Sequence, residues 1–392
     1  MKPIPMLDLR LEYEYMKEDI DSAIKRCLEH QRWILGPEVK ELEDKIAEYI
    51  GVKHCVGVSS GTDALVLSLR ALAIKLKGQE YFDESNKIIT TPFTFTATGD
   101  AILRAGATPV FVDIDPVTCN IDPQKIREYM NSAIRDPQSA VVGIIPVHLY
   151  GQACDMDELM SLADRYNLFV LEDVAQAFGG SWKGRKLGSI GTLGTFSFFP
   201  SKNLGGFGDG GMVAANDDEL AGTVGMLLKH GGKDKYNVGH IGYNARLDTL
   251  QAAILLAKIR YLDRFNEHRV NIASLYDEGM RDVRGIILPS NNGPLAHCRH
   301  VYHQYTIRVL GGKRDNLQQY LKEKGISSMI YYPFSLHKMG VFRDGRSEVS
   351  GSLKNAEDAS HQVLSLPIEP LQREEETAYV VKCIGEFFQA VY

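Results

Sequence analysis

The chain has 392 residues, of which 44% are hydrophobic and 24% charged, an ordinary globular composition. Its 44 basic and 50 acidic side chains give a formal charge of −6, which argues against a nucleic-acid binder, because such proteins carry a strongly basic face. The six cysteines are scattered without a CxxC pair, the N-terminus is too charged for a signal peptide, and no apolar run could span a bilayer. These features predict a cytoplasmic protein with no nucleic-acid or membrane partner, long enough to form two domains.

An alternation of strands and helices dominates the first half of the sequence. Two helices come first, Lys17–His30 and Pro37–Tyr49, the second starting at a proline whose fixed φ suits a first helical position. A further helix starts at Asp122-Pro123, and another covers residues 155–167, where Asp155 and Glu158 predict a capping box. The near-continuous apolar runs between the helices are typical of a parallel sheet covered on both faces. The predicted strands are His54–Val58, Lys87–Thr91, Pro109–Ile114, Val141–Val147 and Leu168–Asp173.

Beyond residue 179 the pattern changes to glycine-rich turns around one apolar strand, Thr195–Phe199. A helix is predicted over Thr249–Phe265. Its middle, residues 252–257, is apolar all round and needs cover on every side, as at a domain junction or a subunit interface. Shorter strands are predicted at His303–Val309 and Ser328–Tyr332. The sequence therefore predicts an α/β protein, with a large domain over residues 1–265 and a smaller C-terminal α+β domain over residues 266–392.

Four motifs lie where predicted strands end, the edge at which a parallel sheet places its ligand site. In Ser59–Ala64, Gly61 and the free N–H groups of a helix start could bind phosphate, or the motif could be a plain helix cap. Asp173 could pair with a protonated ring nitrogen or be a solvated loop acid. Burial would lower the pKa of Lys202 and make it a nucleophile, but an exposed loop lysine fits the segment equally well. Phe95 could stack on a planar cofactor or pack in the core.

Taken together, these four motifs describe one chemistry. A phosphate cradle, a carboxylate, an amine nucleophile and a stacking aromatic ring are what pyridoxal 5′-phosphate (PLP) requires. In such a site the lysine also moves the substrate's proton, acting as a general base and then as a general acid. Because the combination is far more specific than any of its parts, the sequence predicts PLP as the cofactor.

With these residues in view, the chain resembles the DegT/DnrJ/EryC1/StrS family of sugar aminotransferases. The resemblance implies the type I fold of PLP-dependent transferases, a mostly parallel seven-stranded sheet flanked by helices with a smaller C-terminal α+β domain. It also implies transfer of an amino group from L-glutamate to a keto group of a nucleotide-linked sugar, for surface polysaccharides such as lipopolysaccharide O-antigen or for glycosides. The motifs that carry it run through nearly the whole chain: Leu35–Val39, Gly106–Asp113, Pro146–Gln152, Glu172–Gln176, Ser197–Lys202 and Tyr332-Pro333.

The resemblance further implies which residues hold the cofactor. It makes Lys202 the Schiff-base lysine and pairs Asp173 with the pyridinium nitrogen. Asn244 matches the asparagine that reaches the phosphate from the neighbouring subunit, which implies a homodimer with shared active sites. The other implied contacts are Gln176 near the ring hydroxyl, Phe95 on the ring face, and Gly61, Thr62 and Ser197 at the phosphate.

The sequence favours one type of reaction but does not exclude the others. Some relatives with histidine in place of the lysine are sugar dehydratases, so Lys202 favours transamination. Residues 246–256 look more like members that aminate 3-keto sugars than those that act on 4-keto sugars. A 4-keto-sugar aminotransferase, a PLP-dependent dehydratase and a non-catalytic regulatory member stay open as alternatives.

Arg246, Tyr331 and Tyr332 are the candidates for the substrate side. Arg246 could hold a sugar carboxylate or the diphosphate, although a plain surface arginine is nearly as common. If it holds a carboxylate, a 3-keto uronate fits as substrate; otherwise a 3-keto-6-deoxyhexose fits. The two tyrosines could wall the sugar or pack in the core.

Two further segments are singled out by the sequence. His297, Cys298, His300 and His303 have metal-like spacing, but a strand would point neighbours to opposite faces, so no metal site is predicted. A charged, insertion-like segment over residues 75–86 has no assigned role.

Overall fold

The computed structural model describes residues 3–133, 140–232, 236–289 and 297–391. The helices within these ranges are α1 Leu9–His30, α2 Pro37–Ile50, α3 Gly61–Lys77, α4 Thr96–Arg104, α5 Pro123–Ala133, α6 Met156–Tyr166, α7 Asp218–Leu227, α8 Thr249–Lys258, α9 Leu262–Met280, α10 Arg314–Glu323, α11 Lys354–Gln362 and α12 Glu374–Val391. The strands are β1 His54–Val58, β2 Asn86–Thr90, β3 Thr108–Phe111, β4 Ala140–Ile145, β5 Phe169–Asp173, β6 Ser181–Trp182, β7 Arg185–Lys186, β8 Leu193–Ser197, β9 Gly211–Ala215, β10 Ile286–Ile287, β11 Cys298–Arg299, β12 Tyr305–Val309, β13 Glu348–Val349 and β14 Val363–Leu366.

The largest sheet has the strand order β1-β9-β8-β5-β4-β2-β3-β13. All neighbours from β8 to β13 run parallel, and only β9 is antiparallel, to both β1 and β8. The α/β prediction of a mostly parallel sheet is confirmed. Beyond the seven expected strands, the two-residue β13 from the C-terminal part pairs with β3. The sequence analysis missed β9, because its Gly-Met-Val-Ala-Ala sequence does not stand out from the glycine-rich turn before it.

Two hydrophobic clusters cover the two faces of this sheet. Neighbouring strand residues belong to opposite clusters: Ile88 and Ile89 in β2, and Val170 and Leu171 in β5. This follows from the alternation of side chains along a strand, and it explains why neighbouring residues inside these strands are both apolar. Polar side chains are therefore concentrated where the strands end.

Helix α8 is covered inside its own chain. Of its apolar middle, Ala252, Leu255 and Leu256 pack in the cluster that includes α2, whereas Ala253 and Ile254 pack against α1. The predicted all-round cover is thus present, and two helices of the same chain supply it. The predicted end of this helix was wrong, because α8 ends at Lys258 and a 3₁₀ turn precedes α9.

The C-terminal part is built on a second sheet, β10-β12-β14, which packs against α9, α10 and α12. The strand predicted at Ser328–Tyr332 was wrong, since only Met329 pairs there, in an isolated bridge with Ser365. Ile4, from the other end of the chain, belongs to this C-terminal cluster and pairs with Ile326. Residue 265 lies within α9, and the two-domain division at that position stays a prediction. None of the described helices is long and apolar enough to cross a membrane.

Candidate active site

Asp173 lies at the carboxyl end of β5 and is only 5% exposed. The Thr98 hydroxyl donates to Oδ2 at 2.9 Å, and the Ala175 N–H donates to Oδ1 at 3.2 Å. Burial raises the pKa of this carboxyl group, while the two hydrogen bonds and the nearby charge of Lys202 oppose the rise. A cation placed against Asp173, such as a protonated ring nitrogen, would keep it ionised.

Lys202 lies in the turn after β8, where its backbone N–H donates to the Phe199 carbonyl at 2.8 Å. Burial lowers the pKa of its amine from 10.5 to about 8, and the carboxylate of Asp173 limits the fall. This is the direction predicted from the buried aromatic strand that precedes it. A sizeable fraction of the amine is therefore neutral near neutral pH, as a nucleophile requires.

A third group of residues forms a cradle at the start of α3. Ser60 caps this helix by accepting the Asp63 N–H at 3.0 Å. The N–H groups of Gly61 and Thr62 lie in the first turn, where a helix offers them no acceptor. A Cβ added to Gly61 would lie 2.7 Å from Cβ of Ser197, so this approach requires glycine. The cradle thus opens beside the Ser197 hydroxyl and suits an anion such as phosphate.

Gln176 and Tyr332 face each other on the remaining side of the site. Gln176 accepts the Tyr150 N–H at 2.8 Å and donates to the Tyr332 hydroxyl at 2.9 Å. The Tyr332 ring lies 6.2 Å from that of Phe95, which is 57% exposed and so is not a core residue. The Tyr331 carbonyl accepts the Tyr150 hydroxyl, while its side chain is partly exposed. The structure therefore brings Phe95 and Tyr332 together beside the Gln176 amide.

Asn244 and Arg246 lie on the segment that leads into α8. The Ala245 carbonyl accepts the Ser59 N–H at 3.0 Å, which places this segment beside the cradle of its own chain. Asn244 is exposed, and its side-chain oxygen accepts from the Arg246 guanidinium. Among the described residues, the buried Nε of Arg246 has no acceptor. An anionic ligand would satisfy that group.

The sequence analysis assigned no role in this site to three residues that lie near it. Thr98 lies in the first turn of α4, three residues after Phe95, and this closeness in sequence could have indicated it. His303 is buried, and both burial and the nearby Lys202 lower its pKa, so it is a neutral imidazole. Glu172 accepts the N–H groups of Gly188, Ile190 and Gly191 at 2.7–2.9 Å, which fixes the end of β5 next to Asp173.

The histidines and cysteine considered for a metal do not form a cluster in the described chain. Cys298 accepts the Ala153 N–H, and the His300 ring stacks on Tyr302. A different group, Cys27, His30 and Glu38, has its ligand atoms within 4.8 Å of one another.

Hydrogen bonds explain why Cys27, His30 and Glu38 lie close together. Nδ1 of His30 accepts the Arg32 N–H at 3.0 Å, so Nε2 donates to Glu38 at 2.9 Å. Burial raises the pKa of the Cys27 thiol to about 11, which keeps it protonated. Neither group therefore offers a set of free ligands, and the absence of a metal stays a prediction.

Comparison with known proteins gives a match to the DegT/DnrJ/EryC1/StrS aminotransferase family over residues 14–385. The chain is 45% identical to a pleiotropic regulatory protein of Geobacillus stearothermophilus, with 98% of this chain and 99% of the relative covered. It is 40% identical to the UDP-2-acetamido-2-deoxy-3-oxo-D-glucuronate aminotransferase of Pseudomonas aeruginosa, with 94% and 95% covered.

A solved structure with the same fold is a DegT DnrJ EryC1 StrS aminotransferase from Brucella abortus. The TM-score is 0.91 at 35% identity, and the match covers 98% of this chain and 99% of that one. This likeness confirms the fold class that the resemblance implied.

Proposed function

The chain belongs to the DegT/DnrJ/EryC1/StrS aminotransferase family, and on that premise we propose that it is a PLP-dependent aminotransferase acting on a nucleotide-linked keto sugar. The observation that carries the proposal is a buried carboxylate, Asp173, near enough to Lys202 for each charge to affect the pKa of the other, together with the burial that lowers the pKa of Lys202 to about 8. PLP, when bound, supplies an electron-accepting ring that a protonated ring nitrogen strengthens. Asp173 is suited to keep the ring nitrogen protonated, and Lys202 supplies the amine that binds the cofactor.

Each residue of the site then has a defined task. Lys202 holds the cofactor through its amine and afterwards moves the proton of the substrate carbon. Asp173 keeps the ring nitrogen protonated, and Thr98 orients Asp173 through the bond at 2.9 Å. Gln176 binds near the ring hydroxyl, and the partly exposed Phe95 covers one face of the ring.

The cradle of α3 holds the phosphate. Gly61 and Thr62 bind it through the N–H groups of the first helical turn, and Ser197 binds it through its hydroxyl. The N–H groups at the start of α3 support this assignment, because a phosphate would satisfy donors that the helix leaves without acceptors.

On the substrate side, we propose amination at C3 with L-glutamate as donor. The Pseudomonas aeruginosa relative is named for a 3-oxo uronate substrate. The unsatisfied Nε of Arg246 supports binding of an anionic group, either a sugar carboxylate or the diphosphate. Tyr331 and Tyr332 stand at the same side of the site and would wall the sugar. The aminated sugar would serve the synthesis of a surface polysaccharide, such as O-antigen, or of a glycoside.

We further propose a cytoplasmic homodimer with shared active sites. Asn244 is exposed on its own chain, as a residue that reaches a partner must be. All six cysteines lie in described parts of the chain and are free thiols, which fits a reducing compartment.

The visible absorption spectrum of the purified protein, before and after L-glutamate, tests the function. We expect a band from cofactor held by Lys202 that converts to the band of the amine form. Lys202→Ala should abolish both the band and amine transfer while the melting temperature stays unchanged. Lys183→Ala, which removes an exposed lysine paired with Asp157, is the matched control and should behave as wild type.

Three results would count against parts of this proposal. Turnover retained in Lys202→Ala would overturn it. A colourless protein that cannot be reconstituted with PLP would favour a regulatory role instead. A coloured protein that glutamate does not change would point to another donor or to dehydration.

A further inference from the structure

A fully buried arginine lies under the segment that carries Asn244. The Arg70 guanidinium, in the middle of α3, is 0% exposed. Its N–H groups donate to the Glu80 carboxylate at 2.7 Å, the Ile241 carbonyl at 2.9 Å and the Tyr243 hydroxyl at 2.9 Å, and also to the Glu80 carbonyl. The Tyr81 ring covers the cation, 3.7 Å from Cζ. One buried charge thus joins α3, residues 80–81 and residues 241–243.

Glu80 extends this link to a third position. One oxygen of its carboxylate accepts from Arg70, and the other accepts from Nδ1 of His240 at 2.6 Å. We call Arg70, Glu80 and His240 the clasp. Glu80 comes from residues 75–86, the charged segment to which the sequence analysis could assign no role.

The clasp holds the inner side of residues 236–246, while the outer side is open. Val238 is 55% exposed and Ile241 is 62% exposed, although both are apolar. At the inner side, Tyr243 donates its N–H to the Leu227 carbonyl at 2.7 Å, beside its hydroxyl contact with Arg70. A segment fixed from beneath with apolar side chains facing outward is suited to contact a second copy of the chain.

We propose that the clasp is a positioning device that holds Asn244 of one subunit against the cofactor phosphate in the site of its partner. The inference rests on the proposed function, in which Asn244 makes that contact. A buried guanidinium cannot be left without its carboxylate except at a high cost, so its partners are held in one arrangement. Because two of those partners are Ile241 and Tyr243, the backbone just before Asn244 is held as well.

The experiment compares two clasp variants with a control on α3, the helix that carries Arg70. His240→Ala removes the link from Glu80 to residues 236–246 but leaves the buried Arg70–Glu80 pair and the Arg70 contacts with Ile241 and Tyr243 intact, so folding should not suffer. Glu80→Gln weakens both contacts. Lys75→Gln, on α3, breaks the 3.1 Å ion pair with Glu219 on α7 and the ion pair with Asp217, and serves as control. PLP affinity is measured by absorbance titration of apoprotein, and hydrogen exchange is followed over residues 236–246.

We expect both clasp variants to bind PLP about tenfold more weakly and to exchange faster over residues 236–246. Melting should stay close to wild type in His240→Ala and fall in Glu80→Gln, which leaves the buried Arg70 without its carboxylate. The control should show neither change. Wild-type affinity and exchange in both clasp variants would overturn the proposal.

Mixed dimers decide which site the clasp serves. We consider a dimer of one Lys202→Ala chain and one His240→Ala chain. Its single site with Lys202 belongs to the His240→Ala chain. The intact clasp belongs to the Lys202→Ala chain and reaches that site from across the interface. We expect that site to bind PLP with wild-type affinity. Affinity as weak as in the His240→Ala homodimer would overturn the proposal, because the clasp would then serve its own chain.

A separate variant tests whether Asn244 contacts the phosphate in the partner's site at all. If Asn244→Ala homodimers bind PLP like wild type, the contact across the interface is refuted and the role of the clasp with it. Transamination itself would still stand or fall by the glutamate-dependent spectrum, which depends on Lys202.

Discussion

Lys202 should react with aldehydes at a pH well below that of an ordinary lysine. With a pKa of about 8, roughly a quarter of the amine is neutral at pH 7.5, against roughly a thousandth for a pKa of 10.5. The rate of aldehyde capture by apoprotein at pH 7.5 should therefore exceed that of an exposed lysine by roughly 200-fold, if intrinsic nucleophilicity is equal. The rate should rise with pH and level off above about 8.

The perturbation that tests the cause is Asp173→Asn. The Asp173 carboxylate favours the charged form of Lys202, whereas burial favours the neutral form. Removing the carboxylate leaves burial alone, so the midpoint of the pH–rate curve should move to lower pH.

The assay is the growth of visible absorption when apoprotein is mixed with pyridoxal, which lacks the phosphate and so does not depend on the cradle. Lys202→Ala supplies the background rate. A wild-type midpoint near 10.5, or an upward shift in Asp173→Asn, would show that burial does not control this amine.

Two further substitutions test the cradle and the support of Asp173. Gly61→Ala places a Cβ 2.7 Å from that of Ser197, so PLP affinity in equilibrium titration should fall at least tenfold; unchanged affinity would mean that the cradle has room to spare. Thr98→Val removes a hydrogen bond that lowers the pKa of Asp173, so that pKa should rise. The acid limb of the pH–activity profile should then move to higher pH, because the ionised carboxylate is lost at higher pH. Thr90→Val, which removes a buried hydroxyl that donates to the Ile145 carbonyl, is the control, and an equal shift there would contradict the assignment.

Most of the sheet was predictable because a strand buried on both faces leaves a direct trace in the sequence. The run over Phe169–Asp173 is apolar until Glu172, and the carboxylates therefore mark where the strand ends. Lys202 and Gly61 could be predicted as site residues for a similar reason, since each lies within a few residues of a predicted strand end. Local patterns are sufficient when the functional group and its supporting element are adjacent in the chain.

Contacts between distant segments left no such trace. Thr98 and Asp173 are 75 residues apart, and only the packing of α4 against the sheet brings them together. The partners of Arg70 come from residues 80 and 241–243, and nothing in the α3 sequence indicates a buried cation at that position. Strand β9 is fixed by pairing with β1 and β8 more than by its own small side chains.

The pairing of Ile4 with Ile326 has a consequence for the order in which the molecule is completed. Ile4 donates its N–H to the Gly325 carbonyl and accepts from the Ser327 N–H. The N-terminal residues therefore have no pairing partner until most of the chain has been synthesised. At ribosomal rates this wait lasts roughly 15 to 60 seconds. Pro3 and Pro5, which have no N–H, flank Ile4 and limit the strand to a single pairing residue. The early segment is thereby kept from adding to sheets of other nascent chains before its own partner emerges.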